Sequence, residues 1–252
     1  MDAVRLEIDG PVARITLNRP AVLNAGDPGW VAELTDVVAR VGALRELRVA
    51  VITGAGRAFS TGVDLTSLAA GEMTLPHFVA WEDAMTAIER MELPFIAAIN
   101  GHCLGGGLQL ALVCDYRLAA ADAVIGLPAV KECLIPSMAL YRLPRLIGAA
   151  RAREMILTGE PISAARAADV GLVNQIVPAS EFPRALDECI QRFLALPAMS
   201  VGVSKRLLAR AYDLPFDAFR REMEAGFRLC LDSAEHRAAM AELRRRRMGP
   251  AR

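Results

Sequence analysis

Histidine is scarce in this chain, with three residues in 252, and none of the five cysteines (Cys103, Cys114, Cys133, Cys189 and Cys230) falls in a C-x-x-C pair. Those shortages remove the common nitrogen and sulfur donors of a zinc centre, so no metal site is expected. The odd number of cysteines reads as reduced thiols, most of them small core residues, in a cytosolic protein. Net charge is missing too: 29 Lys and Arg balance 29 Asp and Glu, which argues against a general nucleic-acid binder. The local exception is Arg244-Arg245-Arg246-Arg247, either a solvated helix end or a phosphate contact. Although 54% of residues are hydrophobic, charges, prolines or glycines interrupt every apolar run. None reaches the roughly 18 residues expected of a membrane span. The start, Met1-Asp2-Ala3-Val4-Arg5, lacks the basic and apolar regions of a signal peptide, and a cytoplasmic location is expected.

Familiar glycine signatures are absent as well. No cluster carries the lysine of a G-x-x-x-x-G-K-[ST] phosphate loop. Gly54-Ala55-Gly56-Arg57-Ala58-Phe59 lacks the last glycine of a dinucleotide fingerprint, and no G-x-S-x-G elbow occurs. What is present is a pair of glycine-rich turns, each behind an apolar run. Phe59-Ser60-Thr61-Gly62-Val63-Asp64-Leu65 follows Val49 to Thr53, and Asn100-Gly101-His102-Cys103-Leu104-Gly105-Gly106-Gly107 follows Phe95 to Ile99. Taken singly, each needs only glycine's freedom to bend. Side by side, they can bring backbone N–H groups close to a ligand oxygen. Two such donors on one carbonyl oxygen form an oxyanion hole, which stabilises charge developing there.

Periodicity sets these turns in an α/β chain. Val4 to Ile8 and Val12 to Leu17 alternate around Asp9-Gly10-Pro11 and predict a hairpin. Trp30, Leu34, Val37, Val38 and Val41 recur at helical spacing. Thr66 to Pro76 reads as loop, followed by a helix carrying Phe78, Met85, Ile88 and Met91. Gly106 to Cys114 reads as a helix, and Tyr116 to Ala120 and Val124 to Gly126 as strands. Val49-Ala50-Val51-Ile52-Thr53-Gly54 echoes Ile96-Ala97-Ala98-Ile99-Asn100-Gly101, so stacked strand–strand–helix units would bring these ends together. Beyond Ser137 the pattern is mostly helical, apart from the apolar run Leu172 to Val177, with Ser163 as a helix cap. Residues 1–195 are expected to form the core. Residues 196–252 are expected to form a helical region packed on it or on a neighbouring subunit, burying Leu207, Leu208, Phe216, Phe219, Phe227 and Leu229.

Three segments resemble the crotonase superfamily, the enoyl-CoA hydratase and isomerase group. Asn18-Arg19-Pro20-Ala21-Val22-Leu23-Asn24-Ala25 is similar to its N-R-P-x-x-x-N-A segment. Thr53-Gly54 through Leu65 is similar to T-G-x-G-x-A-F-S-A-G-A-D-L. Asn100-Gly101 through Cys114-Asp115 is similar to N-G-x-x-x-G-G-G-x-E-L-A-x-x-C-D; Arg142-Leu143-Pro144-Arg145-Leu146-Ile147-Gly148 and Leu157-Thr158-Gly159 also fit. The resemblance implies a spiral of ββα units with a C-terminal helical trimerisation region, assembled as a trimer or dimer of trimers. It implies an acyl-CoA thioester in the site, with coenzyme A as part of the substrate and no separate cofactor. By position, the oxyanion donors are the N–H groups of Val63 and Gly106. Ala21, Val22 and Leu23, with Thr61, Gly62, Asp64 and Leu65, would line the CoA channel; Gly105, Pro128 and Ser137 are further substrate-binding positions. Ala21 stands where the family often has lysine, and Arg244 or a neighbour from an adjacent subunit can reach CoA.

Two departures concern the chemistry. The family's hydratase glutamates fall at Gln109 and Ala129. Hydration needs one group to take a proton from water and another to deliver one to the α carbon. An amide holds water without titrating, and alanine does neither. Ile135-Pro136-Ser137-Met138-Ala139 also replaces a glycine-rich turn; Met138 can intrude into the acyl pocket or fill core, and core is the first expectation. Asp64, Glu132, His77, His102, Tyr141, Ser137 and the thiol of Cys133 remain as replacement candidates, although Asp64 reads first as a cap. The expectation is a thioester-binding, enoyl-CoA hydratase/isomerase-like protein with impaired hydration. A non-catalytic acyl-CoA binder, and another enolate reaction such as decarboxylation or thioester hydrolysis, stay open.

Overall fold

The computed structural model describes residues 2–247; Met1 and residues 248–252, the end of the expected C-terminal region, lie outside the described part. Apolar–polar alternation produces the antiparallel hairpin of β1 (Val4–Asp9) and β2 (Val12–Leu17), with Val4 opposite Leu17. The chain continues through α1 (Pro28–Ala43), β3 (Val49–Gly54), β4 (Ala58–Ser60), α2 (Leu65–Ala69) and α3 (Leu75–Arg90). The strand–strand–helix order then repeats as β5 (Phe95–Ile99), β6 (His102–Leu104) and α4 (Gly106–Leu112). A further turn comprises β7 (Tyr116–Ala120), β8 (Val124–Gly126), α5 (Ala139–Ile147) and α6 (Ala149–Thr158). Then come β9 (Ile162–Ser163), α7 (Ala164–Asp169) and β10 (Gln175–Val177). The chain ends in α8 (Phe182–Leu194), α9 (Ala198–Arg210), α10 (Phe216–Asp232) and α11 (Ala234–Arg247).

In each repeat the first strand enters one sheet and the second strand enters another. The larger sheet runs β1-β2-β3-β5-β7-β10 and the smaller β4-β6-β8-β9. Both are mixed: only β1–β2 and β8–β9 are antiparallel. The echo between the two apolar runs is structural, because β3 and β5 are parallel neighbours with Val51 beside Ile96. Asn100 joins their ends, donating from Nδ2 to Gly54 O at 2.9 Å and accepting from Gly54 N at 3.2 Å.

The larger sheet is buried on both faces, which explains its unbroken apolar runs. Ile15, Ile52, Ala97 and Ile99 pack with Trp30 and Leu34 of α1 and with Trp81 and Ile88 of α3. On the opposite face Val49, Val51, Ile96 and Leu118 pack with Phe182, Ala185, Cys189 and Ile190 of α8. Lys205 fastens α9 to this core: it is 7% exposed, donates to the carbonyls of Ile88 and Leu93, and lies 2.8 Å from Asp115 Oδ2.

The structure corrects several sequence expectations. Within Thr66–Pro76, the part read as loop contains most of α2, since the Asp64 carboxylate caps a helix too short to show periodicity. The short β9, absent from the sequence reading, pairs antiparallel with β8. Met138, expected in the core, is exposed at the start of α5. The expectation for the C-terminal region is a different case: Leu208, Phe216, Phe227 and Leu229 of α9 and α10 are exposed on the single chain, which leaves packing on a neighbouring subunit as the way to bury them. Among the described residues no helix is long and apolar enough to cross a membrane.

Candidate active site

Asn24 builds the first glycine turn. It is fully buried with φ at +58°, and its Nδ2 donates to the carbonyls of Ala58 at 2.8 Å and Ala55 at 2.9 Å. Ser60 Oγ donates back to Asn24 O at 2.8 Å, and Thr61 N donates to Leu23 O at 3.1 Å. The Ala21–Leu23 segment, a 3-10 turn ending in a left-handed Leu23, is thereby held against Thr61. One step on, Gly26 N donates to Gly62 O at 2.7 Å and Asp64 N to Gly26 O at 2.9 Å. Asp64 is a cap, as its first reading had it: Oδ1 accepts from Thr66 N at 3.0 Å, and Oδ2 lies 3.2 Å from Arg19. Arg19 also pairs with Asp27 at 2.8 Å, so this carboxylate is already committed to structure.

The second turn needs its glycines because other groups fill their Cβ space. Gly62, at φ +90°, backs onto the Gly106 nitrogen, and a Cβ on Gly107 would lie 2.2 Å from Ser60 O. A Cβ on Gly106 would strike the Trp81 ring at 2.6 Å. Trp81 in turn stacks at a tilt on Trp30, with ring centres 4.7 Å apart, so the turn rests on the core.

These turns meet at a cavity of about 100 Å³. Val63 lines it from the first turn and Gly106 from the second. Among the described residues neither N–H has a hydrogen-bond acceptor. Thr61, Leu65 and Gly105 complete that side, and Phe78 and Trp81 of α3 form an aromatic wall. Pro128, Ala129, Glu132, Leu134 and Ile135 form the remaining wall, and among the described residues Glu132 is the only ionisable side chain lining the cavity. A larger groove of about 380 Å³ runs between Val41, Met91, Phe193 and Leu196, but no residue of either glycine turn lines it.

Not every candidate comes to this cavity. Gln109 is buried on α4 with Oε1 unpartnered, and it is not a wall residue. Ser137, at φ +40°, donates from Oγ to Glu82 Oε2 at 3.0 Å. His77 Nδ1 caps α3 through Thr74 N at 3.1 Å, and Tyr141 bonds to Asp213. His102 is half-buried on β6. Cys133 is exposed with φ at +54°. Burial, reinforced by the charge of Asp115, pushes the Cys114 thiol up to about 12, and burial raises Cys103 further. Among the described residues no group of histidine, cysteine, aspartate and glutamate has a metal-binding arrangement. Arg245 and Arg246 of the basic run pair with Glu242 on their own helix.

One network beside the site escaped sequence reading. Arg142 Nη1 lies 2.7 Å from Glu82 Oε1, an ion pair without an aligned hydrogen bond, and Nη2 donates to Glu89 at 3.0 Å. Burial opposes the charge on Arg142, but the bonds and charge of Glu89, with Glu82, hold its pKa above the ordinary value. The only sequence signal was two glutamates seven apart on α3, which share a helix face.

Comparison with known proteins agrees with this geometry. Residues 7–243 match the family described as Enoyl-CoA hydratase/isomerase. The chain is 37% identical over 228 residues to (E)-benzylidenesuccinyl-CoA hydratase of Thauera aromatica, covering 85% of each protein. It is 32% identical over 247 residues to Short-chain-enoyl-CoA hydratase of Clostridium acetobutylicum, covering 95% of this chain and 94% of that one. The structure resembles the crystal structure of an enoyl-CoA hydratase from Bacillus anthracis, with a TM-score of 0.91 and 28% identity over 97% of this chain and 96% of that one.

Proposed function

The chain belongs to the enoyl-CoA hydratase/isomerase family, and we propose that it holds an acyl-CoA thioester with the carbonyl oxygen between the N–H groups of Val63 and Gly106. One observation carries this reading: Val63 and Gly106, from separate glycine turns, line one small cavity, and neither N–H has an acceptor among the described residues. Donors fixed before the substrate arrives need no reorganisation as charge builds on oxygen. The dipole of α4, which begins at Gly106, favours negative charge at the same place. The Ala21–Leu23 and Thr61–Leu65 segments lead coenzyme A to the cavity, with Asp64 shaping the turn.

Ordinary hydration is impaired in this reading. Ala129 offers a methyl group on the cavity wall, and Gln109 cannot titrate. The Phe78 and Trp81 wall suits flat acyl groups, and the Thauera relative is named for a benzylidene-bearing thioester. Phenyl-bearing thioesters therefore join short enoyl chains as candidate substrates. Exposed Leu208, Phe216, Phe227 and Leu229 support assembly through residues 196–252 into a trimer or dimer of trimers. Three buried, unpaired cysteines fit a reducing cytosol.

Calorimetry with a panel of acyl-CoA thioesters tests the reading. Saturable binding is expected, with free CoA weaker because it lacks the thioester oxygen. Absence of binding by folded protein to every thioester would overturn it.

A further inference from the structure

Resting on the thioester reading above, we propose that Glu132 is the base that takes the α-proton of the bound acyl group and hands it back. Glu132 closes the 3-10 turn Pro128–Glu132, which also carries Ala129. Side chains three apart on a 3-10 helix eclipse one another, about 6 Å apart along the axis. Glu132 therefore stands on the face of Ala129, one turn further along, and both border the cavity. The small side chain at 129 leaves the lower step of that face open.

The turn is held from outside, which fixes its inner face. Lys131 pairs with Glu160 at 2.7 Å, directing the neighbouring charge away from the cavity. Gly159, at φ +64°, leaves no spare room beside the turn: a Cβ there would lie 3.1 Å from Val130 and 3.2 Å from Lys131. The left-handed Cys133 and the 2.9 Å bond from Leu134 N to Ala129 O reverse the chain immediately after Glu132. Glu132 itself has no ion-pair or hydrogen-bond partner among the described residues. It is an exposed side chain at the rim of a cavity whose other lining residues, Val63 and Gly106 among them, are non-ionisable.

A single carboxylate suits a one-base reaction. The Cα–H electron pair moves into the bond between Cα and the thioester carbon as the carbonyl π pair moves onto oxygen. The proton passes to Glu132, and the oxyanion lies between the Val63 and Gly106 N–H groups. Return of that proton to Cα restores the substrate. In a β,γ-unsaturated chain, return to Cγ shifts the double bond into conjugation, with no atom gained or lost. Water addition is not required, which matches the absence of glutamates at 109 and 129.

The test is deuterium exchange at Cα of phenylacetyl-CoA and butyryl-CoA in D2O, followed by NMR and mass spectrometry, with calorimetry on the same samples. Wild type should wash deuterium into both thioesters and move the double bond of a 3-enoyl-CoA. E132Q should lose about 10²-fold or more of the exchange rate while its affinity stays unchanged, and E132D should recover part of it. Exchange by E132Q at the wild-type rate would overturn the proposal. So would a wild type that binds the thioesters and leaves Cα untouched. Failure of the underlying thioester reading would look different, as no calorimetric binding at all.

Discussion

Gly62 and Gly106 sit back to back: a Cβ on Gly62 would lie 2.6 Å from the Gly106 nitrogen. The donor at the head of α4 thus has its position set by the missing side chain of a residue in another turn. Gly62→Ala must accept both this clash and a positive φ. It should destabilise the fold by about 1–3 kcal/mol and erase the preference for acyl-CoA over free CoA. Urea midpoints and calorimetry check the two effects, and an unchanged midpoint would contradict the packing argument.

Restoring carboxylates at the two hydratase positions should create hydration. If wild-type hydration of a short enoyl-CoA is slow, as proposed, Gln109→Glu with Ala129→Glu together should raise it by about 10²–10⁴-fold, and each single change should do less because the groups act on one reaction. Product formation followed by chromatography decides. Fast hydration by wild type would show that the chemistry does not depend on these positions.

Stability should fall in alkali. The folded state holds the Cys114 thiol up to about 12 and Cys103 higher, both through burial first. An unfolded thiol titrates near pH ~8.5. The folded state therefore keeps protons that the unfolded state releases. Their contribution is complete below that pH and shrinks as pH rises toward the folded values, by up to about 1.4 kcal/mol per pH unit for each thiol. Denaturation midpoints from pH ~8 to ~10 should decline, with a shallower slope in Cys114→Ala. Iodoacetamide should label exposed Cys133 well before Cys103 or Cys114 in native protein.

Lys205 should matter more than a surface lysine. Lys205→Met leaves Asp115 without its cation and removes a donor from two carbonyls. The expected loss is about 3 kcal/mol, read from chemical denaturation. A double-mutant cycle with Asp115→Asn should show coupling.

Much of the fold was legible because the larger sheet is covered on both sides, so β3 and β5 read as short apolar runs closed by glycine. The glycine turns were legible for a related reason: few side chains fit where backbones approach so closely. Residues that act across long separations were not. Arg142 and Glu89 are 53 positions apart, and no local pattern announces their pairing. Met138 and Leu208 are apolar by type and exposed by position, which composition cannot distinguish. For Glu132 the missing fact was the three-residue period of its turn, which sets it on the face of Ala129.

Asn24 has a wider consequence. It fixes the first glycine turn from behind, through backbone carbonyls, without lining the cavity. The frame of that turn is thus separate from the cavity wall at 128–135. On the proposed reading, wall residues between 128 and 135 can be exchanged while the two glycine turns keep their geometry. A change of chemistry at that wall would then cost the fold little, because the hydrogen bonds that shape the turn lie elsewhere.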